Sequence, residues 1–325
     1  LQGTDLRGLS FHKCRLDGVR FHGAILKETQ FIDCELKACH FTEADLSICS
    51  MVNSRGTDND FSAAKLEFAN MVDSDFGGSR FDRAHLRHVA FANGKQTGIR
   101  FPQADLDNCQ FVNMDLTDVA FQYATLKQCN LVDCQIPGMN LDHALLDNCF
   151  FMRPRLAGFD FTVCQLKATQ FHQAELDGAR FSGMDIRLCG FPEASLKGAD
   201  FRAANGSNML LLKANLEGAR FDEANLTQTL FNEAKLERCL FLKANLEMAQ
   251  LTKAKAAGAV FQRARMTYAD CSHADVRKAD FSEAELYRTV LHEIIEEDTR
   301  WGGSNRSAAL GTDPSKAEAE QFKAG

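Results

Sequence analysis

The sequence predicts an all-β, four-sided solenoid, and three observations support that class. From Leu1 to Leu291 every fifth residue is large and apolar: 54 of 59 such positions hold Leu, Phe, Met, Ile or Val, the exceptions being Gly56, Gln96, Gly206, Ala256 and Cys271. A second register of five lies two residues earlier, where 49 of 58 positions between Thr4 and Thr289 hold Ala, Cys, Ser, Thr, Val or Gly. Glycine recurs at multiples of twenty, at Gly18, Gly78, Gly98, Gly138, Gly158, Gly178, Gly198, Gly218 and Gly258. A period of five matches neither the 3.6 of a helix nor the 2 of a flat strand. It matches a chain that turns a corner every five residues and points one large and one small side chain inward from each side. Four sides make one coil, and stacked coils make a solenoid.

The interior follows from the large register. Of 26 Phe residues, 22 occupy it, and adjacent sides alternate Phe (11, 21, 31) with Leu (6, 16, 26). Like residues then stack in ladders at the strand spacing of ~4.8 Å. Phe76 is the one Phe on a Leu-type position, and the rungs on either side of it carry Gly56 and Gln96. A large ring between two vacated rungs conserves core volume. The glycine ladder implies positive φ and type II turns along one edge. The other three edges lack such a ladder and are expected to turn differently.

The pattern x-[small]-x-[Leu/Phe]-x is written out in Ala174-Glu175-Leu176-Asp177-Gly178, Ala194-Ser195-Leu196-Lys197-Gly198 and Ala214-Asn215-Leu216-Glu217-Gly218. It resembles the pentapeptide-repeat family over roughly nine tenths of the chain. The resemblance implies a right-handed quadrilateral β-helix, and it is nearly silent on function.

The unbroken register predicts one solenoid over residues 1–291, followed by a C-terminal cap and flexible tail over 292–325. Apolar spacings of three and four across Tyr287–Ile295 suggest a short amphipathic helix as the cap. Trp301, the only tryptophan, is placed to pack over the last coil. The tail from Gly302 reads as mobile, with a weak helix after Pro314. No comparable cap precedes Leu6, which suggests a truncation or a partner domain at that end.

Charge and cysteine usage narrow the function. The net charge is −7, with −3 in the segment after Leu291 and −4 on the long solenoid. This mixed surface has no basic stripe, so nucleic acid is not an expected partner. Eleven of the twelve cysteines (14, 34, 39, 49, 109, 129, 134, 149, 164, 189 and 239) lie on the small inward register, and Cys271 lies on the large one. They read as buried small hydrophobes, reduced and suited to the cytoplasm, rather than as disulfides or metal ligands. No segment is apolar and long enough to span a membrane, and no secretory signal is present. Phosphate-loop, dinucleotide, zinc-protease and nucleophile-elbow motifs are all missing. The expectation is no enzyme activity, no catalytic residue, no cofactor and no metal.

One outer surface departs from the rest. The residue after each inward side chain should face solvent, and on one side it reads Ile32, Val52, Val72, Ala92, Val112, Val132 and Met152. The column ends at His172 and Pro192, and Asn53, Asp73, Asn93, Asn113 and Asp133 rim it. β-Branched residues suit stacked short strands whatever their role. An apolar stripe of this length also suits docking of a partner or a second copy. The other faces carry Arg7, Lys27, Lys127, Lys167 and Arg187 at the equivalent position.

The function that follows is a non-enzymatic scaffold, a rigid rod docking protein partners. The tail after the repeats and the abrupt start also resemble the repeat-rich C-terminal region of bacterial type VI secretion accessory proteins. That resemblance implies an adaptor that helps load a secreted effector. The alternative is a DNA mimic acting on DNA gyrase, as some pentapeptide-repeat proteins do. A solenoid at −4 is a poor copy of a duplex that carries one charge per ~1.7 Å.

Overall fold

In the computed structural model, which describes residues 1–321, the five-residue register becomes a parallel β-helix. The chain divides into two compact units, Leu1–Arg155 with Val163–Gln170 and Leu156–Thr162 with Phe171–Gly325. Within each, residues twenty apart meet on neighbouring rungs. Asp5 bridges Ile25 and Arg15 bridges Glu35 in the first unit, and Glu175 bridges Ser195 and Val290 bridges Leu310 in the second.

In the first unit two sides are regular enough to form sheets of three-residue strands. On one, the strands Ser10–His12, Gln30–Ile32, Ser50–Val52, Asn70–Val72, Ala90–Ala92, Gln110–Val112, Asn130–Val132 and Phe150–Met152 follow one another in parallel. On the other, His85–Arg87, Asp105–Asp107, Thr125–Lys127, Leu145–Asp147 and Gln165–Lys167 do the same. The central residue of each strand points inward and its two neighbours point outward, as strand alternation requires.

The corners correct one expectation. All nine glycines of the ladder have positive φ, between 63° and 70°. However, the third residue of every five, from Gly3 to Gly303, is left-handed on all four edges, with Val163 the single exception. Lys, Glu, Asp, Asn, Ala and Arg occupy most of these positions. Each five-residue side turns its corner at the same backbone point, and all edges use the same left-handed residue. Glycine is only the least strained choice there. At Val163 the chain forms a short 3-10 helix over Phe161–Val163 instead.

The aromatic ladders form as expected. In the first unit Phe21, Phe41, Phe61, Phe81, Phe101 and Phe121 stack with centroids 4.6–5.2 Å apart. Rings from the opposite side meet them edge-on, as Phe91 meets Phe101 at 6.1 Å and 83°. Both geometries are the favoured ones for aromatic quadrupoles. In the second unit Phe161, Phe181, Phe201, Phe221, Phe241, Phe261 and Phe281 stack in the same way.

The small inward register does more than fill space. Cys109 Sγ donates to Leu86 O at 3.3 Å, Cys129 to Leu106 O at 3.4 Å and Cys149 to Leu126 O at 3.2 Å. Thr229 and Thr289 hydroxyls donate to Gly206 O and Met266 O in the same geometry. Each side chain thus supplies a donor to a buried carbonyl 23 residues back, which explains why Cys, Ser and Thr share this column with Ala.

Phe76 is fully buried between the two irregular rungs, consistent with volume compensation. At Gly56 an added Cβ would lie 2.3 Å from Leu36 O, so the backbones approach too closely for any side chain. Gln96, with no exposed surface, acts as a splice. Its Oε1 accepts from Phe76 N–H at 3.1 Å and its Nε2 donates to Ser74 O at 3.0 Å. Among the described residues no bridge joins Asp75 to Lys95, although Arg55–Asp75 and Lys95–Asp115 are bridged. The glutamine amide therefore replaces the main-chain ladder at that rung.

The C-terminal end is closed by Trp301, which stacks on Phe281 at 4.5 Å and 10° and adds one rung to the ladder. Arg306 lies over the indole at 4.3 Å, and Glu296 accepts from Trp301 Nε1 at 3.1 Å. The expected helix over Tyr287–Ile295 does not form. Val290 and Ile295 bridge Asp270 and Asp275, and Arg288 and Glu293 take the left-handed corner position. The apolar spacing there is that of a further coil, with Leu291 facing inward. The one α-helix among the described residues is Pro314–Gln321, with Asp313 Oδ1 accepting from the Ser315 and Lys316 N–H groups. The last four residues of the expected tail lie outside the described residues.

Candidate interaction surface

Each residue of the predicted stripe is the last of its strand, and strand register puts all of them in one straight column. Ile32 pairs with Val52, Val52 with Val72, Val72 with Ala92, Ala92 with Val112, Val112 with Val132 and Val132 with Met152. Neighbours one strand spacing away shade one another, so most are half-buried, while Val112 keeps 38% of its surface exposed. At about 4.8 Å per rung the column is about 30 Å long.

Polar ladders bound it on both sides. On one, Asn53 Nδ2 donates to Asp33, Asn113 to Asn93 at 3.1 Å, and Arg153 grips both oxygens of Asp133. On the other, Asn130 Nδ2 donates to Gln110 at 3.0 Å. These bonds tie the rim residues of neighbouring rungs to one another.

Part of the remaining charge is paired at short range. Across single sides, Asp185–Arg187, Asp200–Arg202 and Asp275–Arg277 form two-pronged pairs at 2.6–2.9 Å. The guanidinium beside each aspartate holds its carboxyl below the usual range. A shallow depression of about 300 Å³ on the second sheet is crossed by Glu67, Arg87 and Asp107, paired at 3.3 and 3.8 Å. It is an ion-pair ladder rather than a cleft.

Eleven of the twelve cysteines are buried. Cys14 corrects the expectation that all would be buried: it lies in the first coil, with a rung on one side only, and is half-exposed. Burial pushes the Cys39 and Cys134 thiols up to about 11 and Cys271 up to about 12.

Two features escaped the sequence reading. Ile48 and Phe68 stand 48% and 54% exposed on successive rungs of one corner, and the His88 ring stacks on Phe68 at 4.9 Å. Their only sign in the sequence is a large apolar residue on the corner position, where Lys, Glu, Asp and Asn are common. Nothing in the structure explains a β-branched residue at φ 60° in Ile48. The second is a cluster of His273, His292 and Glu320, whose ligand atoms lie within 4.8 Å of one another. Only the two histidines, nineteen residues apart on successive coils, left a trace in the sequence.

Fold and surface together define a repeat solenoid that presents flat faces built from stacked rungs. Models of the pentapeptide repeat region match residues 24–101 and 104–181, and models of the pentapeptide repeats match residues 1–31 and stretches between 191 and 283. The chain belongs to the pentapeptide-repeat family. No curated protein matches it. Among solved structures, a trypsin-treated variant of QnrB1, a plasmid-mediated fluoroquinolone resistance protein, is 17% identical, covering 58% of this chain and 91% of that one with a TM-score of 0.30. HetL, involved in heterocyst differentiation regulation in the cyanobacterium Nostoc sp. strain PCC 7120, is 19% identical over 84% of this chain and 91% of its own, with a TM-score of 0.21. Rfr23 from the cyanobacterium Cyanothece 51142 is 18% identical over 42% and 88%, with a TM-score of 0.22. At these values the likeness concerns the repeat and carries no role across. No helix among the described residues is long and apolar enough to cross a membrane.

Proposed function

We propose that this chain is a non-enzymatic scaffold that docks a protein on the stripe of Ile32, Val52, Val72, Val112, Val132 and Met152, and that the occupant is a second copy. The observation that carries this reading is the in-register apolar column between two hydrogen-bonded polar rims. A column repeating at the strand spacing is matched rung for rung by another stack of the same spacing, which favours an isologous pair of faces. The face is about 30 Å by about 15 Å, so about 900 Å² is buried in total, at the low end of specific interfaces. Association is therefore weak and reversible. The narrower role of an adaptor in effector loading has no support from the comparisons, which match the repeats alone.

The test replaces Val72, Val112 and Val132 with Lys. The inward registers are untouched, so the circular dichroism spectrum should not change, while three charges enter a dry contact. Light scattering at rising concentration should show a dimer for the native chain and a monomer for the variant. A native chain that stays monomeric refutes the second copy as occupant. A variant that dimerises like the native chain removes the stripe from the interface altogether.

A further inference from the structure

The C-terminal helix is held by an arrangement that its packing does not explain. None of its residues is buried, yet its last turn is tied to two successive coils through one carboxylate. Glu320 Oε2 lies 3.1 Å from His273 Nε2 and 3.2 Å from His292 Nε2. His273 occupies a left-handed corner, and His292 follows the inward Leu291 on the next coil. The His273 N–H donates to His292 O at 2.8 Å, so the backbone sets the separation of the two rings. The rings stand at 86° with centroids 5.3 Å apart, so they are not simply stacked.

We propose that His273, His292 and Glu320 bind a divalent transition-metal cation of the zinc class, which clamps the helix onto the last coils. Zinc lies about 2.0–2.2 Å from His nitrogen and carboxylate oxygen, which places neighbouring ligands of a tetrahedral site about 3.3 Å apart. Two of the three edges already have that length, and the third is within 4.8 Å. Closing the third edge takes a small inward movement of the helix or of the His273 ring. Two imidazoles and one carboxylate are a nitrogen–oxygen set that suits zinc, cobalt, nickel or copper, while magnesium and calcium prefer oxygen alone. His292 is 1% exposed whereas His273 and Glu320 are partly open, so a fourth coordination position faces solvent.

The protons balance without an added reagent. His292 Nδ1 accepts from Asp313 N–H at 3.2 Å, so in the metal-free protein the neutral ring carries its proton on Nε2, directed at Glu320. A cation takes the Nε2 lone pair, the proton moves to Nδ1, and the Asp313 contact is given up. Glu320 is already ionised, its carboxyl held low by its bonds to the two histidines. Lys316 Nζ, 3.8 Å from Glu320 Oε1, is the nearby positive charge that opposes the cation.

The experiment is isothermal titration of the protein with zinc chloride and, separately, magnesium chloride, on the native chain and on the His273→Ala and Glu320→Ala variants. Both substituted side chains are partly exposed, so the variants should fold. The native chain should take up one zinc and no magnesium, and either variant should bind zinc at least tenfold more weakly. Zinc affinity should also fall as pH drops from 7.5 to 5.5, because protons compete for both imidazoles. X-ray absorption at the zinc edge should show a nitrogen/oxygen shell. No zinc uptake, native-like zinc affinity in either variant, or a sulfur shell from the cysteines would each overturn the proposal.

Discussion

Replacing Gln96 with leucine would restore the type of residue that the repeat carries at this position on most coils, and it should nevertheless destabilise the protein. The amide closes a gap in the main-chain ladder, accepting from Phe76 N–H at 3.1 Å and donating to Ser74 O at 3.0 Å. Leucine leaves both backbone groups buried without partners, at about 1–3 kcal/mol each. Greater apolar burial returns about 1–2 kcal/mol, so the net loss should be about 2 kcal/mol. Gln96→Met keeps the length without the hydrogen bonds and should lose about as much. The assay is urea denaturation followed by circular dichroism, with midpoints compared at constant slope because repeat arrays can depart from two-state behaviour. A Gln96→Leu midpoint equal to or above that of the native chain would refute the splice.

Gly178→Val should cost about 2 kcal/mol, because φ is +69° there and strain alone is added, with no atom within 4 Å of the new Cβ. Lys167→Val, on an exposed strand end, should be close to neutral, and Gly178→Asn should cost less than Gly178→Val; equal melting temperatures for all three would count against the left-handed corner. Thiol titration of the native protein at pH 8 should find one fast group at most, Cys14, since burial raises Cys39 and Cys134 to about 11; several thiols reacting within seconds would contradict the buried ladder. Asp200 and Asp275 have folded-state pKa values below their unfolded ones. Their contribution is fully present above the unfolded value near 4 and is lost as pH falls through the lowered folded values. The urea midpoint should therefore hold steady from pH 7 to about 5 in this respect, and Arg202→Met should return the Asp200 titration towards an ordinary carboxylate by NMR. An unchanged Asp200 pKa in that variant would remove the arginine as the cause.

The amino-acid sequence by itself determined the coil, the inward residues and the outward column, because a period of five repeated from Leu1 to Leu291 admits one spatial arrangement of large and small side chains. Phe21, Phe41 and Phe61 stack because each is held one strand spacing from the next, and that spacing is a property of any parallel ladder. The stripe was legible for the same reason, since register alone aligns Val72, Ala92 and Val112. The corners were misjudged because glycine marks where left-handed backbone is easiest, whereas the strain at Lys, Asp or Asn in that conformation is offset by the stacked rungs and leaves no sign in composition. The segment from Tyr287 to Ile295 was misread because two apolar periods agree over a short stretch, and only pairing with the preceding coil chooses between them. Gln96 and the His273–His292–Glu320 cluster depended on tertiary structure entirely. Each acts through atoms brought within about 3 Å by the stacking of separate coils or by the return of the C-terminal helix, and a one-dimensional pattern holds no distance between segments that meet only when the chain folds.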